Sequence, residues 1–339
     1  MTASQVTAQE HGRRTISIAL CTYDGMPYVV DQVRSILEQT MPPDEVVLAD
    51  DGSADGTVDA VREAVRAAGG ADVRLRVVEA ADAPLGVAAN FERAIAACSG
   101  DLILLADQDD VWRPHKIERL VRELDSDPSA VLVASNARLV GPGGEPLGRD
   151  LFGTLGAGVD ELRSLSGPEA LAVLLRGNVL PGMTFLFVRA LADRALPIPP
   201  SWPHDSWLAV VAATAAGLRV VDDVLVDYRQ HGRNVVGVQE RTPGYLLRRL
   251  VRSTPTAHAK SDRMRALLAR LPELDEGHGS HREEVRGSLA FHVRRARLRR
   301  SRLLRAGPVA RLVLVGSYTR YARNGRLDAV RDLLATGPV

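Results

Sequence analysis

Between residues 15 and 107, short apolar runs rich in β-branched residues alternate with stretches of helical period, and few folds accommodate that alternation. "TISIAL" (15–20) reads as a buried strand, a short β-branched apolar run ending in polar residues, and "EVVLAD" (45–50), "VRLRVVE" (73–79) and "DLILLAD" (101–107) read as the second, third and fourth strands. Between them, Val29, Val33, Ile36 and Leu37 recur at three- and four-residue spacing. "DGSADGT" is a turn that caps a helix through about Ala67, and "GVAANFERAIAAC" (86–98) reads as a third helix. Strands joined by helices of this length predict an α/β fold, a mostly parallel sheet with helices on both faces. Ligands of such sheets bind outside the carboxyl ends of the strands.

The polar residues stand in those places: "CTYDG" after the first strand, "DDGS" after the second and "DQDD" after the fourth. Asp107, Asp109 and Asp110 put three carboxylates within four positions, with no obvious counter-charge nearby in sequence. Hard oxygen donors of this kind suit Mg²⁺ or Mn²⁺, bound by one or two carboxylates plus substrate phosphates. The alternative is a solvated turn, in which Asp110 caps the helix expected from "VWRPHKIERL". Tyr23 offers a ring on which a base can stack. Asp51 offers a carboxylate to a ring N–H, or else the N-cap of the next helix. No G-x-x-x-x-G-K-[ST] is present, and no G-x-G-x-x-G follows the first strand, so neither the P-loop nor the usual dinucleotide fold is expected.

Beyond residue 112 the pattern changes. "VLVAS" (131–135) and "MTFLFV" (183–188) read as strands, 150–168 as Gly-rich and irregular, and "LRVVDDVLVDYRQHG" (218–232) as a β-hairpin or paired strands. "PIPPSWPHDSW" (197–207) is a Pro-rich loop entering a helix that runs to about Ala216. From Tyr245 onward the chain reads as helical and basic. Residues 244–339 hold 21 of the 43 Lys and Arg but only 8 of the 42 Asp and Glu, a net of +13 against −12 for the first 243. In "FHVRRARLRRSRLLR" (291–305) this gives either a solvated helix face or a contact with anionic lipid. Nucleic acid is not expected as a partner, since no aromatics are interleaved and no binding motif is recognised. Lys116 and Lys260 are the only lysines, so Arg is favoured throughout. Two cysteines, Cys21 and Cys98, exclude a disulfide framework or a four-cysteine zinc site. The polar residues 1–14 suggest a disordered tail rather than a signal peptide, and no apolar run reaches the roughly 20 residues of a membrane span. The expected location is cytoplasmic, with a peripheral place on the inner face of the membrane left open.

"ISIALCTYDGMPYVVDQVRSILEQTMPPDEVVLADDGSADGT", then "GVAANFERAI" and "LLADQDDVW", resembles the family-2 glycosyltransferases of GT-A fold, and within them the rhamnosyltransferase-like branch. The resemblance covers roughly residues 15–235. It implies a catalytic domain over 15–240, with a nucleotide-sugar half at about 15–112 and an acceptor half at about 113–240, followed by a basic helical region over 241–339. It places Cys21, Thr22 and Tyr23 in the nucleotide pocket and Asp51 on the uracil or thymine ring. Asp107 and Asp109 match the D-x-D motif that contacts the donor ribose and the divalent ion, and His231 matches a histidine that closes many such metal sites. Asp205 stands where the family has its general base. His204 replaces the first acid there, and Ala83-Pro84 stand where Asn is often found. Gly182, His204 and Trp207 are candidates for the acceptor side. Trp207, Trp202 and Trp112 suit either sugar stacking or packing.

The residue types agree with that chemistry. A nucleoside-diphosphate leaving group develops negative charge that a divalent ion stabilises without proton transfer. An acceptor hydroxyl needs a carboxylate within hydrogen-bond reach. The expected activity is inverting transfer from a dTDP- or UDP-sugar to a glycan, a lipid-linked glycan or a metabolite. Two alternatives are a nucleotidyltransferase that makes sugar nucleotides and a non-catalytic sugar-nucleotide-binding protein. The first wants a basic Gly-rich loop that "CTYDGMPY" does not offer, and the second would have lost Asp205 or the acidic cluster.

Overall fold

The structure, a computed structural model, describes residues 13–68, 73–232, 256–274, 279–299 and 301–335. The tail expected over 1–14 lies almost wholly outside the described residues, as does the start of the basic helical region. Strands β1 (Ile16–Thr22), β2 (Glu45–Asp50), β3 (Arg74–Val77) and β4 (Leu102–Asp107) alternate with helices α1 (Val29–Leu37), α2 (Thr57–Ala67) and α3 (Val87–Ala97). β1 is buried along its whole length, and its side chains alternate between two cores. Ala19 and Cys21 pack on the side of Phe91 and Ile95 of α3, while Ile18 and Leu20 pack on the side of Val33, Ile36 and Val61 of α1 and α2. A strand covered on both faces has no polar face to show, so its sequence reads as an unbroken apolar run.

β5 (Val111–Trp112) and α4 (Lys116–Ser126) follow the acidic loop, then β6 (Leu132–Val140), β7 (Pro146–Asp150), α5 (Leu151–Leu155), α6 (Val159–Leu165) and α7 (Ala170–Arg176). A 3₁₀ turn at Gly182–Thr184 leads into β8 (Phe185–Val188), α8 (Arg189–Ala195), α9 (His204–Thr214) and β9 (Leu218–Arg229). The sheet runs β3-β2-β1-β4-β8-β6-β9-β5, with β7 beside β6. The pairs β2–β3, β1–β2, β1–β4 and β6–β9 are parallel, and those involving β5, β7 or β8 are antiparallel.

Two expectations are corrected. Residues 218–229 form one twelve-residue strand, not a hairpin. The stretch 150–168 is mostly helical, in α5 and α6. Asp150 starts α5 by accepting the Gly153 N–H, an N-cap that satisfies one otherwise orphaned donor. After residue 255 the described chain is helical: α10 (Thr256–Leu274), α11 (Gly279–Ala296), α12 (Arg302–Leu314), α13 (Ser317–Tyr321) and α14 (Arg326–Leu334). Met264, Leu267, Leu271 and Leu274 of α10 belong to the same core as α3, α7 and α9. None of the helices among the described residues is long and apolar enough to cross a membrane.

Candidate active site

Going out from β1, the chain adds β2 and β3 on one side and then returns to place β4 on the other. The carboxyl ends of β1 and β4 therefore bound the crevice where strand order reverses, the usual ligand position in an open α/β sheet. Register sets Cys21 beside Asp107 across that crevice, and Thr22 beside Asp50 on the other flank.

The loops at this edge are tied together by side chains. Thr22 donates its hydroxyl to Asp50 at 2.6 Å, and Asp50 also accepts the Gly52 and Ser53 N–H groups. Asp24 sits in the left-handed region at φ 46°, unusual for a residue with a Cβ. It is held there by its N–H on the Ser53 hydroxyl and its carboxylate on the Ala54 N–H. Tyr23 is 55% exposed, so its ring is free to meet a ligand. Asp51 is buried, and its two oxygens accept the Leu85 and Gly86 N–H groups at 2.7 and 2.8 Å. It does not cap α2, whose N-cap is Gly56; it anchors the entry to α3 instead.

Gln108, inside the acidic loop, accepts the Tyr23 N–H at 2.7 Å and donates to the Tyr23 carbonyl at 3.0 Å. A side-chain amide here takes the place of a strand partner and joins the tips of β1 and β4. Asp110 is also corrected. It is fully buried and accepts the Arg229 N–H at 3.2 Å, while the N-cap of α4 is His115. Burial, reinforced by the Asp109 and Asp107 charges, holds the Asp110 carboxyl well above its ordinary value.

Asp107 shows the same effect. Burial first, then the charges of Asp109 and Asp205, push its carboxyl up to about 7, against the pull of Lys116. Lys116 is the nearby cation that the linear sequence does not reveal. It is fully buried, with its ammonium 3.4 Å from the centre of the Trp112 ring and donating to the Met183 carbonyl at 2.6 Å. Burial lowers the Lys116 pKa, and the Asp110 and Asp107 charges oppose that shift.

β9 pairs with β5, Val226 opposite Trp112 and Asp227 opposite Val111, and so returns residues 229–231 to the acidic loop. Arg229 donates to the Asp109 carbonyl at 3.0 Å and lies over the Tyr28 ring. His231 Nε2 is 2.8 Å from Asp109 Oδ2, and its ring stacks on Tyr28 with centroids 4.7 Å apart. The fold thus brings Asp109 and His231 together. Among the described residues, no three His, Cys, Asp or Glu side chains converge as a ready metal site. The donor set fits Mg²⁺ or Mn²⁺ in the mode where few protein ligands are completed by diphosphate oxygens and water. Burial first, and then the neighbouring carboxylates, disfavour the charged form of Asp107, and a cation held there would oppose both.

Opposite stands the start of α9. Asp205 occupies its first turn, where the helix dipole favours a carboxylate. Its Oδ1 accepts the Ser206 N–H and hydroxyl. His204 is buried and stacked on Phe91 of α3 at 4.0 Å, with Nε2 lacking a hydrogen-bond partner. Burial lowers its pKa, opposed by Asp205. Gly182 lies against it: a Cβ at 182 would be 2.7 Å from His204 Nε2 and 3.2 Å from a Leu105 methyl, so only glycine fits. Trp207 does not join this group as a stacking platform. It is fully buried and donates its indole N–H to the Ala195 carbonyl at 2.7 Å. Trp202 and Trp112 are likewise 4% and 2% exposed, so all three tryptophans pack.

Comparison with known proteins agrees with this geometry. Residues 17–166 match the profile of Glycosyl transferase family 2. An uncharacterised glycosyltransferase of Nostoc sp. is 27% identical over 65% of this chain and 66% of its own length. A putative teichuronic acid biosynthesis glycosyltransferase of Bacillus subtilis is 28% identical over 39% of this chain and 50% of its own length. The chain thus spans between half and about two thirds of these relatives. Among solved structures, S. aureus TarS in complex with UDP-GlcNAc superposes with a TM-score of 0.55 at 15% identity, covering 94% of this chain and 90% of that one. The mannosyltransferase PcManGT of Pyrobaculum calidifontis, in complex with GDP-Man and Mn²⁺, gives 0.53 at 17% identity, covering 97% and 89%. These likenesses establish a GT-A-like fold with a helical C-terminal region. Over residues 17–166, under half of its length, the chain is similar to glycosyl transferase family 2.

Proposed function

We propose that the protein is an inverting, metal-dependent glycosyltransferase that moves a sugar from a nucleoside-diphosphate donor to a hydroxyl of a glycan, a lipid-linked glycan or a metabolite. The observation that carries this reading is geometric: strand register sets Cys21 beside Asp107 at the switch point of the sheet, and β9 returns His231 to 2.8 Å from Asp109 at the same edge. In this reading Tyr23 offers a ring to the base, and Asp51, Cys21, Thr22 and Asp107 are the other donor-side residues. Asp109 and His231 are the residues that would hold a divalent cation. When bound there with the diphosphate, the cation supplies the positive charge that a leaving nucleoside diphosphate requires.

Asp205 is the base of this reading. Ser206 fixes Oδ1, which leaves Oδ2 to take the acceptor proton. A single displacement needs no covalent nucleophile, and neither cysteine is suited to be one: burial pushes the Cys98 thiol up to about 12 and holds Cys21 well above its ordinary value. Gly182 and His204 form the floor beside the base. The resemblance to the rhamnosyltransferase-like branch makes dTDP-rhamnose the first donor to test and UDP-sugars the next. A membrane-borne acceptor would give the basic helical region a role as a peripheral contact with anionic lipid.

The test is turnover of a nucleotide-sugar panel with Mg²⁺ or Mn²⁺, read as diphosphate release, together with calorimetric titration of the donor. Asp109→Ala should bind donor far more weakly in the presence of Mn²⁺, and the difference from wild type should vanish in chelator. Equal affinities with metal present would remove the metal role of Asp109. Failure of the whole panel with Mg²⁺ and Mn²⁺ would remove the transferase reading.

A further inference from the structure

Residues 285–327 contain twelve arginines and no Asp or Glu. The structure divides these arginines into two kinds. Arg295 and Arg305 are buried. Arg295 makes a two-pronged pair with Asp332 at 2.6 and 2.8 Å, and Arg305 donates to the Asp332 and Ala335 carbonyls. They hold the helical region together, which corrects the expectation of one solvated or lipid-facing run over 291–305. Arg294, Arg297, Arg299 and Arg311 are exposed, and none has an acidic partner among the described residues. Some exposed helical arginines elsewhere find one within a turn, Arg62 with Asp59, Arg66 with Glu63, Arg122 with Glu118 and Arg265 with Asp262, while Arg34 and Arg326 stand singly and without one among the described residues; here four gather in one place.

The four unpaired guanidiniums wall a groove of about 810 Å³ between the end of α11 and the face of α12, floored by Leu298 and Leu312. Leu304 and Val315 line it, and Leu303 and Leu314 of the same helix stand next to them in sequence, all four exposed. Leu303 is 89% exposed, Leu304 53%, Leu314 86% and Val315 64%. Leu303 and Leu314 are eleven residues apart, close to three full turns, so they share one face of α12, as do Leu304 and Val315. Guanidiniums match phosphate oxygens in a forked geometry, and a helix with arginines above exposed leucines is suited to lie at the headgroup boundary.

We propose that this groove is the docking site of the protein on an anionic phospholipid bilayer: phosphate headgroups enter among Arg294, Arg297, Arg299 and Arg311, and Leu303, Leu304, Leu314 and Val315 dip into the acyl boundary. The proposal gives a site to the lipid contact named above, but it stands on the groove alone and survives failure of the transferase reading.

The test is co-sedimentation of the full chain with vesicles of phosphatidylcholine alone and with 30% phosphatidylglycerol. The protein should pellet with the anionic vesicles only. At about fivefold per arginine, Arg297→Ala with Arg311→Ala should weaken partitioning roughly 25-fold. Leu303→Asp with Leu314→Asp should abolish it. All these residues are exposed, and unchanged melting temperature and donor affinity in each variant confirm that the loss is local. Absence of pelleting with anionic vesicles, or equal pelleting of wild type and both double variants, overturns the proposal. Preference for a polyanionic nucleic acid over the vesicles would do the same.

Discussion

Asp205 decides between chemistry and architecture at the level of a single side chain. If it is the base, Asp205→Asn keeps the Ser206 bonds and nearly the same shape, yet Oδ2 becomes an amide that cannot take a proton. Donor affinity should hardly change while transfer falls about 10²–10⁴-fold. An Asp that serves only the first turn of α9 would instead cost about 1 kcal/mol of stability and leave turnover per folded molecule intact. Melting temperature, donor affinity and rate on one preparation separate the two. The acidic cluster, Tyr23 and Asp51 were legible in the sequence because strand ends place them. Gln108 was not, because a glutamine between acids gives no sign that it will bond to the backbone of another strand. Lys116 left a faint trace: in a chain with only two lysines among 43 basic residues, both donate to backbone carbonyls in partly or fully buried places.

Elements were legible where one period dominates, and misread where polar residues interrupt a strand. In β9 the "DD" of "VVDDVLV" imitates a turn, but Asp222 accepts from Asn136 of β6 at 2.8 Å and Asp223 pairs with Arg119 of α4, so the strand runs on. Packing between elements also sets a pH response. Lys260 of α10 donates to the Arg176 carbonyl that ends α7, and burial, then the Arg295 charge, lowers its pKa from 10.5 to about 8. Below pH 8 the folded and unfolded chains both carry this proton, and folding bears the full penalty. Between 8 and 10.5 the unfolded chain holds more protons, so stability contributed through this group rises with pH. The shift bounds the gain at about 3 kcal/mol, less whatever solvent screens. Urea midpoints from pH 7 to 10.5 should therefore rise in wild type relative to Lys260→Met. Parallel curves would show that Lys260 titrates normally.

At the scale of the whole molecule, the helical region is not an appendage that hangs from the sheet. Leu267 is fully buried in the core shared with Trp207, Arg263 donates to the Ser201 carbonyl, and Arg194 donates to the Leu274 carbonyl. The prediction is one cooperative unfolding transition, with tryptophan signals of the sheet layer and far-ultraviolet helix signal falling together. Leu267→Ala should lower that single transition by about 2–5 kcal/mol. Two separated transitions, with only one moved, would show that the parts fold independently. The sequence could mark this region as helical and basic, but not that α10 completes the core, since its apolar positions find their partners more than fifty residues away. That shared core has an electrical consequence. It joins the first 243 residues, with a net of −12, to the last 96, with a net of +13. The near-zero net charge of the chain thus hides a permanent dipole that no internal motion can relax. Within roughly a Debye length of any charged surface, about 8 Å at physiological salt, that dipole experiences a torque. The molecule is turned before it touches.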